Sequence, residues 1–350
     1  GQGKIGGKSA GMLLAARILA EVAPEEIRKN IRTPNSYYLG SDVMYAVMAN
    51  NGLMKWADQK YKPEEQIRAE YPTLEKEFRA ANFPDEIWEQ LREVIEKVGK
   101  QPLIVRSSSL LEDNFGNSFA GKYESYFCPN QGNTEENLVA LTDAIARIYA
   151  SALRAEPIIY RGQTGLIDYD ERIAVLIQYV EGEKFGDYYL PHGAGVAFSR
   201  NLYRWSSDIR REDGFLRLVW GMGTRAVDQT GNDYPRLVAL SRPLLHPADD
   251  VKSIQRYSQQ YVDALDLKAN ELRTFPIKDL LTPRYAPLRY IAQKVEDGYL
   301  STLRTNIMMK RNWSSPLTNC CDVRALPNIS KQHSKFWKNT INRPLIQNLP

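Results

Sequence analysis

The stretch from Pro102 to Glu124 constrains the fold most, because it joins a strand pattern directly to a loop of small and polar residues. Its apolar run LIV at positions 103–105 predicts a short buried strand. The strand pattern ends on Arg106, and the serines at 107–109 follow at once. The loop after them contains Gly116, Asn117, Ser118 and Gly121.

This combination predicts a phosphate-binding loop. The planar fork of Arg106 matches phosphate oxygens. Hydroxyl groups stand beside it, and glycines let backbone N–H groups approach an anion closely. An alternative interpretation is a strand that leads into a surface loop, where Arg106 pairs with Glu112 or Asp113.

Length and charge restrict the class of protein. A chain of 350 residues is long enough for two or three domains. Its 46 basic and 42 acidic residues nearly balance, and no concentrated basic stretch stands out, so we expect no nucleic acid partner. No apolar segment is long enough to span a bilayer, so we expect no membrane partner. The thiols Cys128, Cys320 and Cys321 form neither a disulfide framework nor a zinc pattern, so we expect a cytoplasmic location.

A second candidate anion site lies near the start of the sequence. Gly6-Gly7-Lys8-Ser9 precedes apolar residues at helical spacing, which puts Lys8 at a helix N-terminus. Unpaired N–H groups and the helix dipole favour an anion there. A Walker A loop would need a glycine where the sequence has Gln2, so that motif is not matched. The alternative is a flexible start followed by an ordinary helix cap.

Periodicity predicts a mixture of helices and strands. Residues 41–100 are expected to be helical, with the clearest helix beginning at Pro84 and ending at Gly99. Asn133 and Glu136 predict a capping box before another helix. A further helix is predicted from the spacing of Ile254, Tyr257, Tyr261 and Leu265. Strands are predicted at 123–127, 172–180, 195–198, 215–220 and 236–240.

Two further segments require interpretation. The loop from Gly221 to Arg236 is dense in glycine and charge, and Arg225, Asp228, Asp233 and Arg236 are candidate site groups. Alternatively, those charges pair among themselves. Residues 301–350 show no sustained periodicity, and we expect this irregular tail to lie outside the fold.

Three separated stretches resemble the nucleotide-binding domain of the phosphoenolpyruvate synthase and pyruvate, phosphate dikinase family. GGKSAG at 6–11 is similar to the family's GGKGAN start. VRSS at 105–108, ED at 112–113 and SFAG at 118–121 resemble its VRSS, ED and SFAG signature. VLIQ at 175–178, GVAFS at 195–199 and WGMG at 220–223 resemble its VIVQ, GVMFT and GLGE elements.

The resemblance implies an α+β, ATP-grasp-like fold in which two lobes clamp ATP. Residues 1–170 would form the first lobe, with its helical segment, and residues 171–300 the second. Lys8 and Arg106 would bind and act on the ATP phosphates, and the loop Ser118–Gly121 would close over them. The adenine would meet Gln178, Tyr179 and Val180. Ser107, Arg225 and Asp228 complete the predicted nucleotide-binding set.

The resemblance also implies a reaction. Family members pass a phosphoryl group from ATP, with Mg²⁺, to a histidine on a swivelling domain. His192, His246 and His333 all lack the family's Thr-x-Gly-Gly…His context, so we expect ordinary histidines and a phosphohistidine on a separate domain or protein. The chain is then a fragment or one component of a larger phosphotransferase.

Departures from the family pattern leave the metal ligands unidentified. Thr224 stands where GLGE has its glutamate, and Asp228 or Asp233 would have to compensate. The family's later Gln-x-Arg-Pro strand has no clear match, since the sequence SRP at 241–243 lies too early. These departures favour an alternative function, a non-catalytic nucleotide-sensing or interaction module built on the same fold.

Overall fold

The computed structural model describes residues 3–111, 123–227, 233–248, 250–282, 285, 287–296 and 298–302. The predictions for Ser118, Gly121 and Asp228, and for the tail beyond residue 302, lie outside these ranges. Within the ranges the helices are α1 (Gly6–Glu21), α2 (Glu25–Asn30), α3 (Asp42–Asn50), α4 (Glu64–Arg79), α5 (Asp85–Val98), α6 (Thr134–Ser151), α7 (Ala155–Gln163), α8 (Thr224–Val227), α9 (Val251–Arg256), α10 (Ile277–Leu280) and α11 (Leu288–Ile291). Short 3₁₀ helices occupy Leu53–Tyr61 and Arg211–Asp213.

The strands are interspersed among these helices along the chain. They are β1 (Ser36–Leu39), β2 (Leu103–Ser108), β3 (Ser125–Cys128), β4 (Ala174–Tyr179), β5 (Glu183–Phe185), β6 (Tyr188–Leu190), β7 (Ala194–Phe198), β8 (Phe215–Val219), β9 (Arg236–Ala239), β10 (Tyr261–Asp266), β11 (Glu271–Pro276), β12 (Gln293–Glu296) and β13 (Tyr299–Thr302). Helices therefore accompany small antiparallel sheets, and the predicted α+β class is confirmed. None of the helices within the described ranges is long and apolar enough to cross a membrane.

The chain folds as two compact units. The first consists of Gly1–Val22, Arg32–Val180 and Leu267–Leu272. The second consists of Ala23–Ile31, Glu181–Asp266 and Arg273–Pro350. The helical segment predicted at 41–100 lies in the first unit as α3, α4, α5 and a 3₁₀ helix, and that prediction is confirmed.

The first unit is built on a four-stranded antiparallel sheet of order β1-β4-β2-β3. Leu103 and Val105 of β2 are fully buried in one core with Val175 and Ile177 of β4. These residues alternate with the others along their strands, so one face of the sheet packs on the helices. The predicted strand at 172–180 is confirmed as β4.

Helix α6 supplies most of the helical side of this core. The predicted capping box is present: Glu136 N–H donates to Asn133 Oδ1 over 2.9 Å, and Asn133 N–H donates to Glu136 Oε2 over 2.8 Å. Two backbone donors are thus satisfied at the helix start. The predicted core stripe of Leu138, Leu141, Ile145 and Ile148 is fully buried.

The start of α1 is tied to the end of β2 by the serines. Ser108 Oγ accepts the Ser9 N–H at 3.0 Å and donates to the carbonyl of Ile5 at 2.7 Å. The Gly7 N–H donates to the carbonyl of Ser109 at 2.8 Å. Gly6 has a φ of +77°, and a Cβ there would lie 1.8 Å from the Ser108 carbonyl oxygen. The contact therefore requires glycine at position 6.

The second unit contains a sheet of order β11-β10-β6-β5, a sheet of order β7-β8-β9 and the hairpin β12-β13. The strands predicted at 195–198, 215–220 and 236–240 are confirmed as β7, β8 and β9. Trp220, Val262 and Ala264 are buried in the core of this unit.

The helix predicted through Ile254 and Leu265 is wrong beyond Arg256. Helix α9 ends there, and β10 begins at Tyr261. Residues 262–266 are all buried, so the strand shows no alternation of apolar and polar side chains. Without that alternation, apolar residues spaced three and four apart imitate a helix face.

Two alanine substitutions in α1 should have opposite effects. Gly6→Ala should lower the free energy of unfolding of the first unit by roughly 2–5 kcal/mol, because it combines a left-handed backbone with a backbone clash. Gly11→Ala, where a Cβ meets nothing within 4 Å, should raise it by about 0.5–1 kcal/mol. Urea unfolding followed by circular dichroism measures both. Equal effects would contradict the close contact at Gly6.

A second pair of substitutions tests the core of α6. Leu141→Ala removes a fully buried side chain and should cost about 2–5 kcal/mol. Val139→Ala, on the same helix but 52% exposed, should change the unfolding free energy by no more than about 0.5 kcal/mol. The same urea titration compares them, and a small effect at Leu141 would contradict the described packing.

Candidate functional site

Arg106 and Gln178 lie on the same face of the first unit's sheet. Arg106 stands opposite Leu176 of β4, and Gln178 stands opposite Ile104 of β2. Opposed residues share a face, as do residues two apart on one strand, so both side chains leave the sheet on the side away from the helical core. Gln178 Nε2 contacts Ser36 Oγ at 3.1 Å and Met12 Sδ of α1 at 3.4 Å.

Lys8 reaches the same strand from the first turn of α1. Its Nζ donates to the carbonyl of Ser107 at 2.8 Å, and the side chain is partly buried. No acidic residue stands in the first turn of α1 to offset this charge. The structure thus brings the predicted residues Lys8, Arg106 and Gln178 to one region, where α1 meets the sheet.

Ser107 and Tyr179 leave the sheet on the opposite face. The Ser107 side chain is buried, with Ser107 1% exposed. Its backbone carbonyl accepts the hydrogen bond from Lys8 Nζ. Tyr179 packs against the helical core beside Tyr37, with ring centroids 6.4 Å apart. The backbone N–H groups of Tyr179 and Val180 donate to the carbonyls of Asn35 and Pro102. These two N–H groups, at the strand end predicted to meet adenine, therefore already make backbone hydrogen bonds.

A buried ion pair that the sequence reasoning missed anchors the residues before position 112. Arg161 Nη1 lies 3.5 Å from Glu171 Oε2, and the two side chains are only 2% and 4% exposed. The Ser109 hydroxyl donates to Glu171, and the Leu111 N–H donates to Ser109 Oγ at 2.9 Å. Burial raises the pKa of Glu171, while the Ser109 hydroxyl and the Arg161 charge act in the opposite direction.

In the second unit, Arg225 lies between two carboxylates. Its Nη1 is 2.8 Å from Asp233 Oδ2, and its Nε is 3.0 Å from Asp263 Oδ1. The Thr224 hydroxyl donates to Asp263 Oδ2 at 2.6 Å. Asp263 of β10, which the sequence had placed in a helix, therefore positions a carboxylate beside Thr224. Arg225 and Asp233 pair with each other, as the alternative interpretation of this loop predicted.

Of the two described histidines, His192 is the more exposed. Its side chain is 46% exposed, its Nδ1 lies 2.8 Å from the Tyr285 hydroxyl, and its Nε2 lies 3.3 Å from Glu183 Oε2. His246 lines a cavity of about 320 Å³ in the second unit. Apolar residues dominate that cavity, and none of the described residues predicted to bind nucleotide lines it.

The described residues do not fit a magnesium shell. No group of three or more His, Cys, Asp or Glu residues within the described ranges is arranged to hold a metal ion. Both oxygens of Asp263 already accept bonds, from Arg225, Thr224 and Thr274. Mg²⁺ needs oxygen ligands at about 2.0–2.1 Å in octahedral geometry, so a metal would have to displace these donors.

Comparison with known proteins completes this description. Residues 2–308 match the family model described as pyruvate phosphate dikinase, AMP/ATP-binding domain. A comparison with curated proteins found no match. The matched region includes every described residue named above, and the predicted resemblance is confirmed. The chain therefore belongs to the family of AMP/ATP-binding domains of pyruvate phosphate dikinase.

Proposed function

We propose that this ATP-binding chain is the ATP-dependent part of a dikinase-type phosphotransferase, and that it passes a phosphoryl group to a histidine on a separate domain or protein. The observation that supports this proposal is the meeting of Lys8, Arg106 and Gln178 where α1 covers the sheet. Two cations and an amide at one place suit a polyphosphate. Phosphoryl transfer depends mainly on positioning and on neutralising charge.

The proposed roles follow from the geometry of that region. Lys8 and Arg106 would neutralise phosphate oxygens, one from a helix N-terminus and one from within β2, which continues two residues past the predicted strand end at Arg106. The proposed adenine contact with residues 178–180 and the lid at 118–121 rest on the family resemblance alone. Ser107, Arg225 and Asp228 belong to the proposed nucleotide-binding set without an assigned contact. The two ATP-grasp lobes at 1–170 and 171–300 are likewise part of the proposal.

The acceptor is proposed to lie outside the described residues. His192 is engaged with Tyr285 and Glu183, which suits a structural histidine. A cytoplasmic location is proposed because Cys128, Cys320 and Cys321 form no disulfide framework in the sequence. Burial raises the pKa of Cys128 to about 12, so this thiol is a packing group. Mg²⁺ is expected from the resemblance, but no step is proposed through it.

A second function is favoured by one observation. Thr224 replaces an acidic residue, and the neighbouring Asp263 is engaged with Arg225 and two threonine hydroxyls. A site without a ready metal shell can bind a nucleotide without transferring its phosphate. The alternative is therefore a nucleotide-sensing or interaction module that does not turn ATP over.

ATP binding should depend on the two cations of the first unit. Lys8→Ala and Arg106→Ala should each weaken ATP binding at least about tenfold, or about 1.4 kcal/mol, because each removes a charge-assisted phosphate contact. Isothermal titration calorimetry measures the dissociation constants. Arg172→Ala is the matched control, since Arg172 is 52% exposed and pairs with Asp170; it should leave affinity within about twofold.

Melting curves must accompany this titration, because Lys8 also bonds to the Ser107 carbonyl. Unchanged affinity in well-folded Lys8→Ala and Arg106→Ala proteins would contradict the proposed phosphate site.

Phosphoryl transfer should appear only when an acceptor is supplied. With ATP labelled at both the β- and the γ-phosphate and a histidine-bearing domain of a family member, we expect acid-labile, base-stable label on the acceptor. His192→Asn should not change the transfer, since that histidine has structural partners. Binding of ATP with no label on the acceptor would instead support the sensing module.

A further inference from the structure

The most complete polar network of the second unit surrounds Arg225. Its guanidinium is only 13% exposed and lies between Asp233 and Asp263, whose side chains are 4% and 9% exposed. The Gln260 N–H donates to Asp233 Oδ1 at 2.6 Å. The Thr274 hydroxyl donates to Asp263 Oδ1 at 2.6 Å. Each of the four carboxylate oxygens accepts at least one bond.

Buried carboxylates need a compensating cation. An uncompensated buried charge is strongly destabilising, and two carboxylates that converge on one point also repel each other. Proteins meet this need with a basic side chain or with a bound metal ion. Here the planar fork of Arg225 bridges both aspartates at hydrogen-bond distance, which is the position that a divalent cation would otherwise take.

The backbone around this network is also closely fitted. The Met222 N–H donates to the carbonyl of Asp263 at 2.9 Å. Gly221 has a φ of +87°, and a Cβ there would lie 2.7 Å from the Asp263 carbonyl oxygen. The turn before Thr224 is thus pressed against β10 by main-chain contacts, which leaves Thr224 and Arg225 aimed at the carboxylate of Asp263.

We propose that Arg225 is a permanent internal cation that takes the place of a divalent metal ion between Asp233 and Asp263. The turn that carries Thr224 is then held in place without metal. This inference goes beyond the proposed function, because it concerns cation binding by the second unit in the absence of ATP.

A second arginine pair on β10 provides the control. Arg273 Nη1 lies 3.0 Å from Asp266 Oδ2, but the Arg273 side chain is 49% exposed and is paired there with one aspartate. The Asp266 side chain is only 10% exposed, so this pair matches the burial of Asp263 but contains a single carboxylate. Loss of Arg273 should therefore create no cation site that Asp263 helps to form.

The test is a titration of the full chain with Mn²⁺ alone, followed by electron paramagnetic resonance of the free ion. The wild-type protein and Asp263→Asn should bind the same amount of Mn²⁺. Arg225→Met should raise the affinity for Mn²⁺ at least about tenfold, or about 1.4 kcal/mol. Arg273→Met should match the wild type. Because no ATP is present, failure of the proposed nucleotide site leaves this result unaffected.

Two outcomes overturn the proposal: Mn²⁺ bound to the wild type and lost in Asp263→Asn, or equal Mn²⁺ affinity in the wild type and a folded Arg225→Met protein. Where Arg225→Met does not fold, the wild type and Asp263→Asn still decide. In that case identical Mn²⁺ isotherms for the wild type and Asp263→Asn support the proposal, and a loss of bound Mn²⁺ in Asp263→Asn contradicts it.

Discussion

The close approach of α1 to the end of β2 is the constraint on which the candidate site of the first unit depends. It exists because Gly6 has no side chain and Ser108 has a hydroxyl that bonds in two directions. The same contact brings Lys8 to the strand that carries Arg106. Short side chains in the VRSS segment are therefore explained first by packing against a helix, and only then by any contact with phosphate.

The alternation of a strand decides which of the predicted residues can act together. Arg106 and Gln178 share a face because Arg106 pairs with Leu176, which lies two residues from Gln178 on β4. Ser107 and Tyr179 fall on the other face for the same reason, among buried side chains. A sequence motif groups all four residues, whereas in a sheet the side chains of successive residues point to opposite faces. Register is thus the information that a motif lacks.

Local patterns made several elements predictable from the sequence. The capping box at Asn133 and the helix that ends at Gly99 involve residues only a few positions apart, so the interactions that define them can be recognised from the sequence alone. By contrast, residues 262–266 of β10 are all buried and show no alternation of apolar and polar side chains. The Arg225–Asp263 contact joins residues 38 positions apart, and no local signal marks it. Charges that pair over such distances need the fold before they can be recognised.

Compensation by arginine differs from compensation by a metal in one physical respect. A guanidinium is covalently attached and always charged, so its effect does not vary with the concentration of an ion. The single charge of Arg225 therefore offsets one of the two carboxylate charges as soon as the unit folds, and the N–H of Gln260 and the hydroxyls of Thr224 and Thr274 stabilise the remainder. A metal shell would be ordered only when the ion arrives. The arrangement around Arg225 thus favours a preformed structure over one assembled by its ligand.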